Sequence, residues 1–321
     1  MYQPSPLPEP HAQGLLDVGD GNRIAWETRG NPDGKPVLCV HGGPGGGGRR
    51  GGKVFDPEVF RVVQYDQRNC GLSLPHASDP AVSLEHNTTD HLIADMERLR
   101  EHLGIERWLL YGASWGTALS LAYAERHPER VSEIVLISVF NGRPEETDWL
   151  YHGVGRLLPG PWAAFRDAVP EADRGGNLIA AYDRLLNSPD EAVRWKAARD
   201  WCAWEDAVIA HETNGSPGIY SARPDDALQA LARLCAHYFA NDSWFEDGQL
   251  LRDAHRLAGI PGVLLHGRLD LGLPLKTAWE LAQAWPDAEL TVIEDSGHTG
   301  SPGLRAATLK ALTRFSGTRG A

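Results

Sequence analysis

Short apolar runs alternate with helix-period stretches through the first 140 residues of the chain. Runs at residues 23–28, 37–40, 61–65, 108–111 and 133–138 have the length and side-chain types of strands. Residues 89–103, and the stretch after Ser114 that ends near Pro128, carry apolar positions at helical spacing. Strand then helix, repeated, predicts an α/β fold with a mostly parallel sheet covered by helices on both faces. From about Asn141 to Asp247 the strand signal stops, and the chain becomes helical, Trp-rich and interrupted by Pro and Gly. Alternation resumes with a strand at 261–267, a helix at 275–284, a strand at 289–293 and a last helix from about 304 to 315. The pattern therefore predicts one core, residues 1–140 and 247–321, interrupted once by an inserted helical cap, residues 141–246.

Composition narrows the setting. With 321 residues, 42% hydrophobic and 23% charged, the chain can bury a large core without staples. A net charge of −12 excludes the basic surface that nucleic acid or an anionic membrane requires, and the pair Arg49-Arg50 reads as a solvated loop edge. Cys39, Cys70, Cys202 and Cys235 show neither metal-ligand nor disulfide-framework spacing, so reduced thiols and a cytoplasmic setting are expected. Residues 1–14 lack the basic start and apolar centre of an export signal, and no run of about 18 apolar residues occurs. The expectation is a soluble protein, monomeric by default.

The candidate chemistry lies at Gly112-Ala113-Ser114-Trp115-Gly116, a G-x-S-x-G turn between a strand and a helix. Such a turn can be an ordinary strand-to-helix connection, or it can lift a nucleophilic serine clear of the sheet. A serine nucleophile needs a base to take its proton and a carboxylate to orient that base. The chain order Ser, Asp, His nominates Asp270 and His298, each just past the end of a late strand. His266 can instead merely end its strand, and Asp295 can cap the turn before the final helix. The developing oxyanion needs two donors. They are assigned to the N–H groups of Trp115 and of Gly43, with Gly42 as rival, in the loop His41-Gly42-Gly43-Pro44-Gly45-Gly46. Lys53-Val54 breaks the phosphate-loop pattern, so a nucleotide is not expected. Acyl transfer through serine needs no cofactor and no metal, and neither is expected.

Several separated segments together carry a resemblance to a known family. They are the glycine loop above, Tyr65-Asp66-Gln67-Arg68-Asn69-Cys70-Gly71-Leu72-Ser73, Gly112 to Thr117, Trp204-Glu205, His237-Tyr238-Phe239, His266 to Asp270, and Ser296-Gly297-His298. In these the chain resembles the prolyl aminopeptidases (proline iminopeptidases), serine peptidases of the α/β-hydrolase fold. The resemblance implies release of an unblocked N-terminal residue, preferably proline, from short peptides. It further implies that Glu205, the position of Cys235, and His237, Tyr238 and Phe239 contribute to substrate binding, with cap carboxylates holding the free amino or imino nitrogen. Three positions depart from the pattern. Cys235 stands where the family carries a second glutamate, Asn69 where it usually has Gly, and Leu72 where it often has Arg. Glu212, Asp206 and Asp242 are candidates for a compensating carboxylate. Two other readings remain open at this point: an esterase, thioesterase or amidase acting on a small acyl substrate, and a non-catalytic ligand receptor.

Overall fold

The computed structural model describes residues 8–48, 51–210 and 218–317; Arg49, Arg50 and Glu212 lie outside them. Among the described residues one sheet contains β1 (Ala12–Gly19), β2 (Asn22–Gly30), β3 (Lys35–Val40), β4 (Phe60–Tyr65), β5 (Trp108–Ala113), β6 (Val131–Ile137), β7 (Gly262–Gly267) and β8 (Ala288–Ile293). Their spatial order is β1-β2-β4-β3-β5-β6-β7-β8. Pairing is antiparallel at β1–β2 and β2–β4 and parallel from β4 through β8. The mostly parallel sheet expected from the alternation is present, and β1 is an addition to it. That strand has one buried residue out of eight. A solvated edge strand shows little of the apolar signal by which strands are recognised.

Period-two alternation sorts each central strand onto the two sheet faces. Leu38, Val40, Leu110, Ile134 and Leu136 enter one apolar cluster, with α1 (Thr89–His102) and α2 (Trp115–Arg126). Val37, Cys39, Leu109, Tyr111, Val135 and Ile137 enter the other, against the last helix.

Between β6 and β7 lie α3 (Pro144–Tyr151), α4 (Pro159–Asp167), α5 (Leu178–Leu186), α6 (Glu191–Ile209), α7 (Asp225–Phe239) and α8 (Gln249–Arg252). α9 (Leu275–Ala284) and α10 (Pro302–Phe315) follow β7 and β8. The inserted helices close over their own aromatic side chains, with Phe165 stacked on Tyr182 at 4.4 Å and Tyr151 against Trp201 at 4.6 Å. Trp201 and Trp204 are fully buried there, so much of the Trp-rich signal is packing.

The topology decides where a site can form. β3 and β5 are neighbours, and the connection from β3 runs to β4 on one side while that from β5 runs to β6 on the other, which opens a crevice at their carboxyl ends. Register Val40↔Gly112, Ile137↔Leu265 and Gly267↔Ile293 keeps the carboxyl ends of β3, β5, β6, β7 and β8 on one rim.

Candidate active site

Ser114 is the hinge between β5 and α2, with φ 55° and ψ −128°. A side chain at positive φ is strained by about 1–3 kcal/mol and persists only where its surroundings over-determine it. The surroundings do so here. The Ser114 N–H donates to Ile137 O at 3.0 Å, while the N–H and Oγ1 of Thr117 donate to Ser114 O at 2.8 and 2.6 Å. The serine thus stands at the positive end of α2, where negative charge is stabilised.

The turns after β7 and β8 bring Asp270 and His298 together, Nδ1 to Oδ2 at 2.8 Å. Asp270 Oδ1 accepts from the Leu273 N–H at 2.9 Å. Burial works to raise the Asp270 pKa, but the charge and hydrogen bond of His298, then His266 and the Leu273 N–H, outweigh it and hold the carboxyl below its usual value. His266 is fully buried. Its Nδ1 accepts from the Val139 N–H at 3.1 Å and its Nε2–H donates to Leu273 O at 2.7 Å, so it braces the Asp270 turn. Asp295 accepts from Ser301 Oγ at 3.0 Å, at the start of α10.

The glycine loop lies against Ser114. A Cβ on Gly42 would come within 3.1 Å of Ser114 Cβ, and one on Gly43, at φ 123°, would sit 2.5 Å from Gly46 N. At Gly43 only glycine lets the main chain pass, whereas a side chain at Gly42 would crowd Ser114. Asp66 ties the loop from the sheet side through the Gly48 N–H at 2.8 Å, Arg223 ties it from the inserted helices by donating Nη1–H to Gly46 O at 2.6 Å, and Cys235 donates to Pro44 O at 3.2 Å. Before the loop, His41 Nε2 accepts from the Gln67 N–H at 3.0 Å, which leaves the proton on Nδ1 to be donated to Gly42 O at 2.9 Å. Burial lowers the His41 pKa, consistent with that neutral form.

Two cavities meet at Ser114. The first has Phe140, Leu150, Val208, Ile209 and Phe239 among its apolar walls, and Glu205 as its single carboxylate among the described residues. The second runs along the glycine loop past His41 to Arg223. Gly43, Ser114, Tyr220, Leu231 and His298 line both. Burial raises the Glu205 pKa above the ordinary glutamate value, against the hydrogen bond from Tyr151, whose OH donates to Oε1 at 2.5 Å.

Of the residues nominated from the sequence, Ser114, His298, Trp115, Gly43, Glu205, Cys235 and Phe239 line the first cavity. His237 and Tyr238 turn away from it: His237 Nε2 and the Tyr238 OH donate to the main-chain and side-chain oxygens of Asn87, at 3.0 and 2.7 Å. Asp206 accepts from the N–H groups of Tyr220 and Ser221, which fixes the segment carrying Tyr220 and Arg223. Asp242 lines a separate cavity. Asn69 takes φ 64°, a left-handed conformation that Asn tolerates better than other side chains, and Leu72 is 61% exposed.

Tyr151, Tyr220 and Arg223 were not singled out from the sequence, since no spacing marks them, and Gln67 was named only within its motif, with no role. Asp20, His86 and His91 were not either, yet their ligand-type atoms lie within 4.8 Å of one another, with Asp20 already accepting from Arg68 Nη1 at 3.3 Å.

A family model for the alpha/beta hydrolase fold matches residues 35–301. The chain is 48% identical over 312 residues to a probable proline iminopeptidase of Streptomyces coelicolor, covering 94% of this chain and 95% of that protein. It is 44% identical over 321 residues to the proline iminopeptidase of Neisseria gonorrhoeae, covering 97% of each. A crystal structure of the proline iminopeptidase of Mycobacterium smegmatis matches with a TM-score of 0.65 at 18% identity, over 95% of this chain and 99% of that one, a likeness of fold alone.

Proposed function

The chain belongs to the proline iminopeptidase family of α/β hydrolases, and on that premise we propose that it releases an unblocked N-terminal proline from short peptides through an acyl-serine on Ser114. One observation carries the reading: among the described residues Glu205 is the single carboxylate of a largely apolar cavity that opens directly onto Ser114. A carboxylate in such a place is unfavourable unless a cation joins it. The secondary ammonium of an N-terminal proline supplies the cation, and the pyrrolidine ring suits the apolar walls. Residues 141–246 act in this reading as the cap that closes the pocket over the ring.

His298 accepts the Ser114 proton as Oγ attacks the prolyl carbonyl, while Asp270 fixes the imidazole tautomer and stabilises its charged form. The Trp115 and Gly43 N–H groups receive the oxyanion. His298 then hands the proton to the leaving amine, and water repeats the sequence on the acyl-enzyme, freeing proline. Each donor sits on main chain that packing already holds, so little reorganisation accompanies the charge.

The test compares prolyl-, alanyl- and other aminoacyl-arylamides with N-acetylated prolyl-arylamide and with simple aryl esters. The free prolyl substrate is expected to be hydrolysed best, and acetylation to lower kcat/KM by two decades or more, since it removes the cation that Glu205 pairs with. Equal rates on blocked and free amines would overturn the reading in favour of a general esterase or amidase.

A further inference from the structure

The second cavity at Ser114 is left without a role by the hydrolysis itself, and the chemistry of its lining is specific. Arg223 is the one lysine or arginine among the described residues that line either cavity. No carboxylate of the described residues lies within ion-pair distance of it, in a chain with a net charge of −12. Its guanidinium is nonetheless held. Nη1 donates to Gly46 O at 2.6 Å, and the group lies 5.7 Å from the Tyr220 ring, while Asp206 fixes the main chain of Tyr220 and Ser221.

The edge of Arg223 left over is the one that binds carboxylates. Elsewhere in this chain arginines use the Nε–Nη2 edge for two-pronged contact with an acid: Arg68 on Asp95 at 2.7 and 2.8 Å, Arg100 on Glu97 at 2.8 and 2.9 Å, and Arg268 on Glu294 at 3.0 and 2.8 Å. In Arg223 the hydrogen bond runs from Nη1, and Nε is buried with no partner. The Nε atoms of Arg61, Arg130 and Arg194 are likewise buried without a hydrogen bond, so what sets Arg223 apart is its place on the wall of a cavity at Ser114. A planar guanidinium held by Gly46, with neither Nε nor Nη2 making a hydrogen bond among the described residues, is suited to a carboxylate.

We propose that Arg223 binds the C-terminal α-carboxylate of the peptide's leaving portion, making the second cavity a subsite for short free peptides, dipeptides and tripeptides with an unblocked carboxyl end. The inference rests on the aminopeptidase reading and extends it. Ser114 lies between two cavities of opposite charge, Glu205 lining one and Arg223 the other. A short free peptide is a zwitterion of matching sense, ammonium end toward Glu205 and carboxylate end toward Arg223. Such an enzyme reads both ends of its substrate, and its natural substrates are the small end products of upstream endopeptidases and oligopeptidases.

The experiment compares prolyl-glycine with prolyl-glycinamide, which differ in the terminal charge and little else, with prolyl-arylamide as a third substrate. The intact protein is expected to favour the free acid by tenfold or more in kcat/KM. In Arg223→Gln that ratio falls to near one, and Arg223→Lys keeps part of it, because a point charge replaces the fork. The ratio is taken within each enzyme, so any loosening of the Gly46 contact divides out. A ratio near one in the unmodified protein, or one that survives in Arg223→Gln, overturns the subsite while turnover of the prolyl substrates leaves the aminopeptidase reading standing. Hydrolysis of aryl esters with none of the prolyl compounds turned over removes both.

Discussion

Cys235 donates its thiol hydrogen to the Pro44 carbonyl across 3.2 Å, so that α7, one wall of the Glu205 cavity, is tied to the loop that carries Gly43. Burial, then the nearby Glu205 charge, pushes the thiol far above its ordinary pKa, and the group is neutral at every working pH. Among the described residues the cavity thus has one carboxylate, where the resemblance implies two. In Cys235→Glu the second acid shares a site with Glu205, and a bound ammonium relieves their repulsion. The expected outcome is a KM for prolyl-arylamide about tenfold lower at pH 8, with kcat changed less, measured by steady-state kinetics. The same burial protects the native thiol. Cys39, Cys70, Cys202 and Cys235 are all buried and free, so iodoacetamide is expected to leave activity intact and to add four labels only in urea, counted by mass spectrometry.

Ser114 joins the proposed nucleophile's chemistry to a strained backbone. Ser114→Ala is expected to keep ligand binding and to lose several orders of magnitude in kcat. Ser114→Gly loses turnover equally but adopts φ 55° freely. Relief of strain, less the entropy cost of glycine, leaves about 1 kcal/mol of added stability, seen as a higher Tm and a higher urea midpoint.

In the proposed mechanism Gln67 is a positioning residue. It is buried, its Nε2 donates to His41 O at 2.9 Å, and its Oε1 accepts from Trp115 Nε1 at 3.2 Å. It therefore couples the strand end before the glycine loop to the residue after Ser114, the two places assigned to the oxyanion donors. Gln67→Ala is expected to lower kcat about tenfold with KM nearly unchanged, since donors set slightly out of place act on the transition state alone. Buried partners left unsatisfied also lower stability by about 2 kcal/mol. A chemical denaturation curve measures this second effect separately.

The sheet was legible because its central strands are buried on both faces and read as apolar runs: Trp108 to Tyr111 is buried throughout. β1 was not, since a solvated edge needs no apolar pattern. The chain order of Ser114, Asp270 and His298 was legible because each follows a recognisable strand. Contacts that depend on how helices pack over the sheet were not. The turning of His237 and Tyr238 toward Asn87, and the position of Arg223 above Gly46, are fixed by packing between segments about 150 and 177 residues apart. Asn69 is an intermediate case: a departure from glycine in sequence, yet a residue able to keep the left-handed turn and to bond Pro75 O and Asn87 with its amide.

In the proposed reading Glu205 makes the binding step dependent on pH in a definite sense. Burial raises its pKa above the ordinary 4.5, so the folded protein without substrate holds the proton more tightly than the unfolded chain. The unfolded state then binds fewer protons in the interval between the two values. The stability contributed by the neutral acid is complete below the unfolded pKa and is lost as pH rises through the raised one. Glu205→Gln, which cannot ionise, is expected to gain stability relative to the parent as pH climbs toward 8, and to match it in acid, in Tm measured across pH. Binding of a prolyl ammonium has the opposite demand, because it pairs with the ionised form. KM for prolyl-arylamide is therefore expected to rise as pH falls through the raised Glu205 value, at a pH above the usual glutamate range. In Glu205→Gln that acid limb disappears and KM is high throughout, by about two decades for a buried cation deprived of its partner. A KM that rises in acid to the same extent in both proteins would place the titrating group elsewhere.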